Sequence, residues 1–437
     1  MLKLAFLAAS LSVILSGCGL FSKTPKSIAG VFQRVEIKNS ALDVKHRVIL
    51  PEMTRSCSWE DSINVNALPN FKVSGTLNSW KISNIFESSN EIVTDAISTK
   101  DATFIMTRSG HVKSYCNKDK KLHWSYDLGF KLKNAKSSSA SLMHKDTKLY
   151  VTVNQYFIVL SAKDGSEVCY RKLQDKVTSG VCVTDDVAYF NDTSNLYAVN
   201  TPSGRILYTA SGIPDPIAIE SKMQPVLYRD NLLFSNHFCG QLTLVNTKQI
   251  GKPILQIPKP FAKGGPINLF MPGLISQPIL DNNNSFLYLG NHTGMIQKYD
   301  VKKERVIWSK NIQSLQRLAQ IGNTLFAITL ARQAIAINTL NGEIIWATDL
   351  QLNSKIMHEF LAPLCINSNL VLLSRTGNLI VLDPYNGQTL LCMNLKLKNV
   401  ISMSVTNDRL QIYTTNKILE NQLQNKSQLS KKALKFG

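Results

Sequence analysis

The side chains that most often carry catalysis or bind metals are sparse in this chain and badly spaced for either. Seven histidines (His46, His111, His123, His144, His237, His292 and His358) include no HExxH pattern and no pair at metal-ligand spacing. His237 and His292 fall near corresponding inter-strand turns, where exposed turn histidines are a simpler account than a shared site. Eight cysteines include no CxxC and no adjacent Cys-Cys pair. There is no GxSxG nucleophile elbow, phosphate loop or dinucleotide fingerprint. Asp300 and Asp383 open turns, and a side-chain oxygen bonding its own backbone explains a carboxylate there. The residue types therefore argue against catalysis, and no catalytic, metal or cofactor-binding residue is assigned.

One cysteine is placed to be modified. After the basic start Met1-Leu2-Lys3, an apolar run from Leu4 to Leu15 is too short to span a bilayer, which takes ~20 residues. It reads as a signal-peptide core, and it ends in Leu15-Ser16-Gly17-Cys18. This box resembles the bacterial lipoprotein signal. The resemblance implies cleavage before Cys18 and acyl chains of the palmitate kind on its sulfur and new amino group. Gly19 in place of Asp implies passage to the outer membrane. Each buried acyl CH₂ contributes ~0.8 kcal/mol, so a multiply acylated Cys18 holds the chain at a membrane. No later apolar stretch is long enough to span one.

Composition bounds the rest. A hydrophobic content of 44% marks a globular body. Forty-nine Lys and Arg against 30 Asp and Glu give +19, a balance compatible with anionic lipid, an acidic partner or a lysine-rich coding bias. The charges are scattered, with clusters only at Lys118–Lys121 and Lys426–Lys435. The export signal disfavours nucleic acid. Lipidation of Cys18 leaves Cys57, Cys116, Cys169, Cys182, Cys239, Cys365 and Cys392, an odd set whose pairing the sequence leaves open.

The elements that position these residues come from one repeated unit. Asn323–Leu330, Gln333–Asn338 and Leu340–Trp346 read as strand, tight turn, strand, polar turn with Gly, and a third strand with an aromatic. The outline recurs at 287–308 and 370–391, and more loosely at 104–124, 149–169, 187–208 and 232–254. Turn-opening residues align as Asn117, Ser161, Asn200, Asn246, Asp300, Asn338 and Asp383, spaced 38 to 54 residues apart. Gly165, Gly204, Gly251, Gly342 and Gly387 follow in the same turns. Gln224-Pro225, Gln277-Pro278 and Ala362-Pro363, with Ser139-Ala140 and Ser179-Gly180 as looser equivalents, lead into what should be the innermost strands.

A four-stranded unit of ~40–45 residues that cannot bury both faces alone is a propeller blade. The expected fold is all-β: an eight-bladed β-propeller of four-stranded antiparallel sheets closed by an N-terminal strand, with seven blades as the alternative. The last unit has strands at Ile401–Val405 and Leu410–Thr415 but no Gly turn or terminal aromatic strand. Gly75–Ile82, which carries Trp80, is expected to supply both. The domain reading is 1–17 signal peptide, 18–75 lipidated tether and lead-in, 76–420 propeller and 421–437 basic tail. Trp124, Trp308 and Trp346 read as wedges between blades.

The blade consensus, small-x-Pro, apolar strand, Gly-x-(Leu/Ile)-x-Ala-(Leu/Ile)-Asp and x-x-Gly-x-x-x-Trp, resembles the quinoprotein-type (PQQ-like) propeller repeat. With the lipobox ahead of it, the chain is similar to the BamB-like outer-membrane assembly lipoproteins. The resemblance covers 76–420 and is sharpest at Gln333–Trp346, Gly294–Trp308 and Gly377–Gly387. It implies a lipid-anchored scaffold at the outer membrane, facing the periplasm and binding no cofactor. The implied partners are a BamA-type barrel protein, other assembly subunits and nascent outer-membrane proteins. The family's docking loop carries apolar-x-apolar-Arg, and the matching residues here are Ile217, Ile219 and Glu220, with the charge reversed. Two rival readings share the fold: a PQQ-dependent dehydrogenase-like periplasmic enzyme and a generic envelope-binding propeller. The adjacent cysteine pair of the quinoprotein enzymes is missing.

Overall fold

The computed structural model describes residue 35 and residues 47–55, 68–74, 80–87, 91–129, 140–192, 194–212, 224–229, 231–238, 241–249, 252–257, 277–281, 283–291, 295–312, 314, 318–350 and 360–423. Cys18, Ile217, Ile219 and Glu220 lie outside the described residues, as do Cys57, Cys239, His46, His292 and His358.

The described residues form strands joined by turns. Two short strands, β1 (Met53–Thr54) and β2 (Asn70–Phe71), precede the longer β3 (Trp80–Glu87). The first blade is β4 (Ile97–Ser98), β5 (Ala102–Met106), β6 (His111–Cys116) and β7 (Leu122–Asp127). The second is β8 (Ala140–Lys145), β9 (Lys148–Val153), β10 (Tyr156–Ser161) and β11 (Glu167–Lys172). The third is β12 (Cys182–Thr184), β13 (Val187–Asn191), β14 (Asn195–Asn200) and β15 (Ile206–Ser211). The fourth is β16 (Val226–Arg229), β17 (Leu232–Phe238), β18 (Gln241–Asn246) and β19 (Lys252–Gln256). The fifth is β20 (Ile279–Leu280), β21 (Phe286–Asn291), β22 (Met295–Asp300) and β23 (Arg305–Asn311).

The sixth blade is β24 (Ala319–Ile321), β25 (Thr324–Ile328), β26 (Gln333–Asn338) and β27 (Ile344–Asp349). The seventh is β28 (Leu364–Ile366), β29 (Asn369–Leu373), β30 (Asn378–Leu382) and β31 (Thr389–Asn394). Last come β32 (Val400–Thr406), β33 (Arg409–Thr414) and β34 (Lys417–Leu423). Together they make eight sheets, seven of four strands and one of six, arranged as a β-propeller.

The last sheet runs β3-β34-β33-β32, so an N-terminal strand closes the ring by antiparallel pairing, Trp80 opposite Leu423 and Glu87 opposite Lys417. The closure departs from expectation in two ways. The C-terminal end supplies three strands rather than two, and Trp80 begins the closing strand rather than ending it. The polar look of Glu420 and Asn421 hides the third strand. Both are buried, with Glu420 3.4 Å from Arg409 and the Asn421 side-chain oxygen Oδ1 accepting from the Leu410 N–H at 2.6 Å. Satisfied partners make burial of these polar groups tolerable.

The repeat's turns work as their residue types dictate. The side-chain oxygens of Asn246, Asn338 and Asp383 accept from backbone N–H groups two residues on, at 2.8–2.9 Å. Asp300 accepts from both Lys302 and Lys303. In the second to sixth blades the next residue donates to the turn between the first and second strands, as Thr339 does to the Asn323 carbonyl at 3.0 Å. In the first blade Asn117 itself is that donor, to the Asp101 carbonyl at 2.8 Å, so the turn there opens one residue earlier than expected, at Cys116. The seventh blade has Pro384 there, which has no N–H to give.

Blades lock to one another through an indole and a glycine. Trp308 of the fifth blade donates Nε1–H to the Thr339 carbonyl of the sixth at 3.1 Å. Trp346 repeats this to Pro384 at 2.8 Å, and Trp124 to Ala162 at 3.2 Å. Gly342 lies against the Trp308 ring at φ +73°, and a Cβ there would sit 2.7 Å from the indole. Only glycine supplies that conformation without a Cβ penalty and lets the ring approach. The buried Lys298 adds a second donor to the Thr339 carbonyl, at 2.9 Å, with its ammonium 3.9 Å from the centre of the Phe286 ring. Burial pushes the Lys298 pKa down.

Candidate protein-docking surface

Antiparallel order gives each blade two unlike ends. Turns joining first to second and third to fourth strands emerge at one end, here the turn face. Turns joining second to third strands, and the links between blades, emerge at the other, the connection face.

On the turn face the lead-in is tied down. Asn323 of the sixth blade accepts from the Ile49 N–H at 2.7 Å and donates to the Arg47 carbonyl at 2.9 Å. Leu68 donates to the Gln320 carbonyl in β24 at 2.7 Å. Strand β2 then pairs in parallel with β28, Asn70 opposite Cys365 and Phe71 opposite Ile366. Asn367 accepts from the Val73 N–H at 2.9 Å and donates to its carbonyl at 2.8 Å. The N–H of Ser74 reaches the Asp408 carbonyl at 2.9 Å. The lead-in therefore crosses the sixth, seventh and last sheets before entering β3. Because β24 and β28 are the first strands of their blades, their free edges line the propeller axis. Phe71, at 0% exposure, fills that position.

The rim is shaped by a recurring defect. In the first seven blades the pairing of third and fourth strands slips by one residue. The extra residues are His123, Val168, Leu207, Ile254, Ile307, Ile345 and Leu390, each immediately before the residue that packs on the next blade. All are exposed except Ile345. A bulge re-aims the following side chain, which here docks the indoles, and it interrupts an outer edge that would otherwise accept another strand.

On the connection face, polar side chains brace the roots of the loops. Asn191, at the end of β13, accepts from Ser235 at 2.9 Å and donates to Asn236 of the fourth blade at 2.7 Å. Its N–H reaches Ser179 at 2.7 Å. Asp192 accepts from the N–H groups of Ser194 and Asn195 and from the Tyr197 hydroxyl, at 2.6–2.9 Å. Burial, reinforced by that carboxylate, holds the Tyr197 phenol protonated well above its usual pKa. Gln224 and Gln277 exchange hydrogen bonds at 3.0 and 3.1 Å, clipping together the entries to the fourth and fifth blades. The Gln-Pro pairs are visible in the sequence, but their mutual bonding is not, since 53 residues separate them. Residues 213–223, which include Ile217, Ile219 and Glu220, join the third blade to this braced entry.

The remaining candidates stay apart. Ser109 Oγ lies 3.2 Å from His111 Nδ1 in an exposed turn, where Thr107 holds Ser109 at 3.0 Å. His144 stacks on Phe104. Among the described residues no His, Cys, Asp and Glu side chains gather to hold a metal, and Cys116, Cys169, Cys182, Cys365 and Cys392 are free thiols. Burial pushes Cys182 up to about 11 and Cys365 up to about 12, so both stay protonated at neutral pH. The arrangement is a rigid frame for loops.

The sequence model for the family described as outer membrane protein assembly factor BamB matches residues 108–348. An uncharacterized protein of Rickettsia conorii is 25% identical over 262 residues, 59% of this chain and 62% of its own length, short of two thirds. One from Rickettsia prowazekii is 24% identical over 353 residues, 80% of this chain and 79% of its own. Among solved structures, BamB from Moraxella catarrhalis aligns with a TM-score of 0.65 at 14% identity, covering 78% of this chain and 99% of that one. A computationally designed protein, Ika8, aligns with a TM-score of 0.56 at 12% identity, covering 78% and 98%. At these identities the structural likeness speaks to fold.

Proposed function

The chain belongs to the family of the outer membrane protein assembly factor BamB, and from that premise we propose that it is a non-catalytic scaffold of the machinery that assembles outer-membrane β-barrel proteins. In this reading Cys18 carries the lipid anchor, and the propeller stands on the periplasmic side of the outer membrane. Its connection face docks on a BamA-type barrel protein, with other assembly subunits and nascent outer-membrane proteins as further partners.

The observation that carries the reading is which surfaces are already occupied. The lead-in occupies the first-strand edges on the turn face, with Phe71 buried against them. Bulges interrupt the rim. The connection face has braced loop roots, at Asn191–Asn236 and Gln224–Gln277. Ile217 and Ile219 supply apolar anchors there, and Glu220 implies a partner with a basic residue where the family's partner meets Arg.

The test is photo-crosslinking from residues 217 and 219 in cells, with mild detergent co-purification. A barrel protein of the BamA type should be captured, and Ile217→Ala with Ile219→Ala should lower recovery about tenfold, a loss of ~1.4 kcal/mol. Cys18→Ser should move the protein out of the membrane fraction once the membranes are washed at high salt, which screens charge contacts and leaves only a lipid anchor to hold it. Failure to capture any barrel protein, or quinone-dependent dehydrogenase activity of the purified chain, would overturn the reading.

A further inference from the structure

We propose that the turn face of the fourth to seventh blades is a membrane-contact surface that seats on an anionic phospholipid leaflet. The turns between third and fourth strands set the chemistry of this edge. In the fourth and fifth blades they and their flanks carry Lys248, Lys252, Lys302, Lys303 and Arg305, all exposed. Glu304 is the one exposed carboxylate among the described residues of these two turns. In the next two blades the same turns change character. Leu340 stands 75% exposed and Tyr385 53% exposed at their tips. Glu343 beside Leu340 takes a hydrogen bond from Asn341 at 2.9 Å. The lead-in adds Ile49, 64% exposed, on the turn of Asn323, whose carbonyl accepts from Thr339 next to Leu340.

A run of exposed cations followed by exposed apolar tips, on consecutive blades of one face, is the pattern of an interfacial surface. Apolar side chains enter the headgroup boundary while basic ones meet anionic lipid. Leu340 and Tyr385 project from convex turn tips rather than lining a groove. A fluid leaflet accepts such a tip without a matching pocket, whereas a folded acidic protein would have to supply one. Each basic group near an anionic surface strengthens binding about fivefold. Five grouped on two neighbouring turns act together, and salt weakens them. The surface is independent of the docking reading, and it needs no acyl chain.

The experiment uses the protein from residue 19 onward, which keeps every described strand within its one compact unit and carries no lipid. It is floated with phosphatidylcholine vesicles, with and without about one-third phosphatidylglycerol, at ~0.05 M salt, where screening is weak. Flotation is expected with the anionic vesicles only. Lys302→Glu with Lys303→Glu should weaken it more than tenfold, and Leu340→Asp with Tyr385→Asp severalfold, with thermal midpoints unchanged because these side chains are exposed. A protein that stays soluble beside anionic vesicles would overturn the proposal. So would a Leu340→Asp/Tyr385→Asp variant that floats like the parent, since the face would then be a general polyanion site.

Discussion

Replacing Gly342 with alanine should damage the joint between the fifth and sixth blades out of proportion to one methyl group. The new Cβ meets the Trp308 ring at 2.7–2.9 Å on three atoms, and the residue must hold φ +73°. The left-handed backbone costs about 1–2 kcal/mol for a residue with a Cβ. Pushing aside a well-packed ring costs a further ~1–3 kcal/mol, for a total of about 2–5 kcal/mol. Trp308→Ala alone removes a buried indole and its bond to Thr339, about 3–5 kcal/mol. The two effects share a contact, so they should not add. With Trp308 already replaced, Gly342→Ala should cost only its backbone part, leaving a coupling of about 1–3 kcal/mol. Urea unfolding followed by far-ultraviolet circular dichroism on the four proteins measures that cycle. Additive costs, with coupling under ~0.5 kcal/mol, would mean that the glycine serves only the turn and that the wedge argument is wrong.

Two other perturbations probe the closure of the ring. Phe71→Ala empties a fully buried position between the lead-in and β28 and should cost about 3–5 kcal/mol in the same unfolding assay; an unchanged midpoint would mean that the lead-in is ornamental. Burial pushes the phenol of Tyr413, in β33 of the closing sheet, up to about 12. Its folded pKa lies above the unfolded value of about 10, so the stabilisation it gives is complete below pH ~10 and fades as pH rises toward ~12. Tyr413→Phe should flatten the alkaline loss of stability in that window, and parallel curves for the two proteins would refute the assignment.

Much of the module was legible because its determinants are local. Asp300, Asn338 and Asp383 bond backbone groups two residues away, and Gly342 and Gly387 sit four residues beyond the turn openers. The spacing from Asn338 to Trp346 marked the docking aromatic. The bulge before it was present only as an exposed apolar residue such as Ile307 or Leu390, which a strict alternation pattern reads as noise. In the second blade Cys169 takes the indole's place against Gly204, where an added methyl group would lie 3.3 Å from the Cys169 Cβ. A small residue in that slot weakens the repeat signal, which is why the early copies look loose in sequence. Of the candidate site, the apolar pair Ile217 and Ile219 could be named from sequence, whereas the braces at its root could not.

The division follows sequence distance. Residue order by itself determined the turn chemistry, the four-strand unit and its recurrence, since each of those lives within a few dozen residues. Only the folded chain decided where the lead-in goes: Asn70 meets Ser368, and Val73 meets Asn367, across nearly 300 residues. Contacts of that range leave no periodic trace, because they depend on a ring having first brought its two ends together.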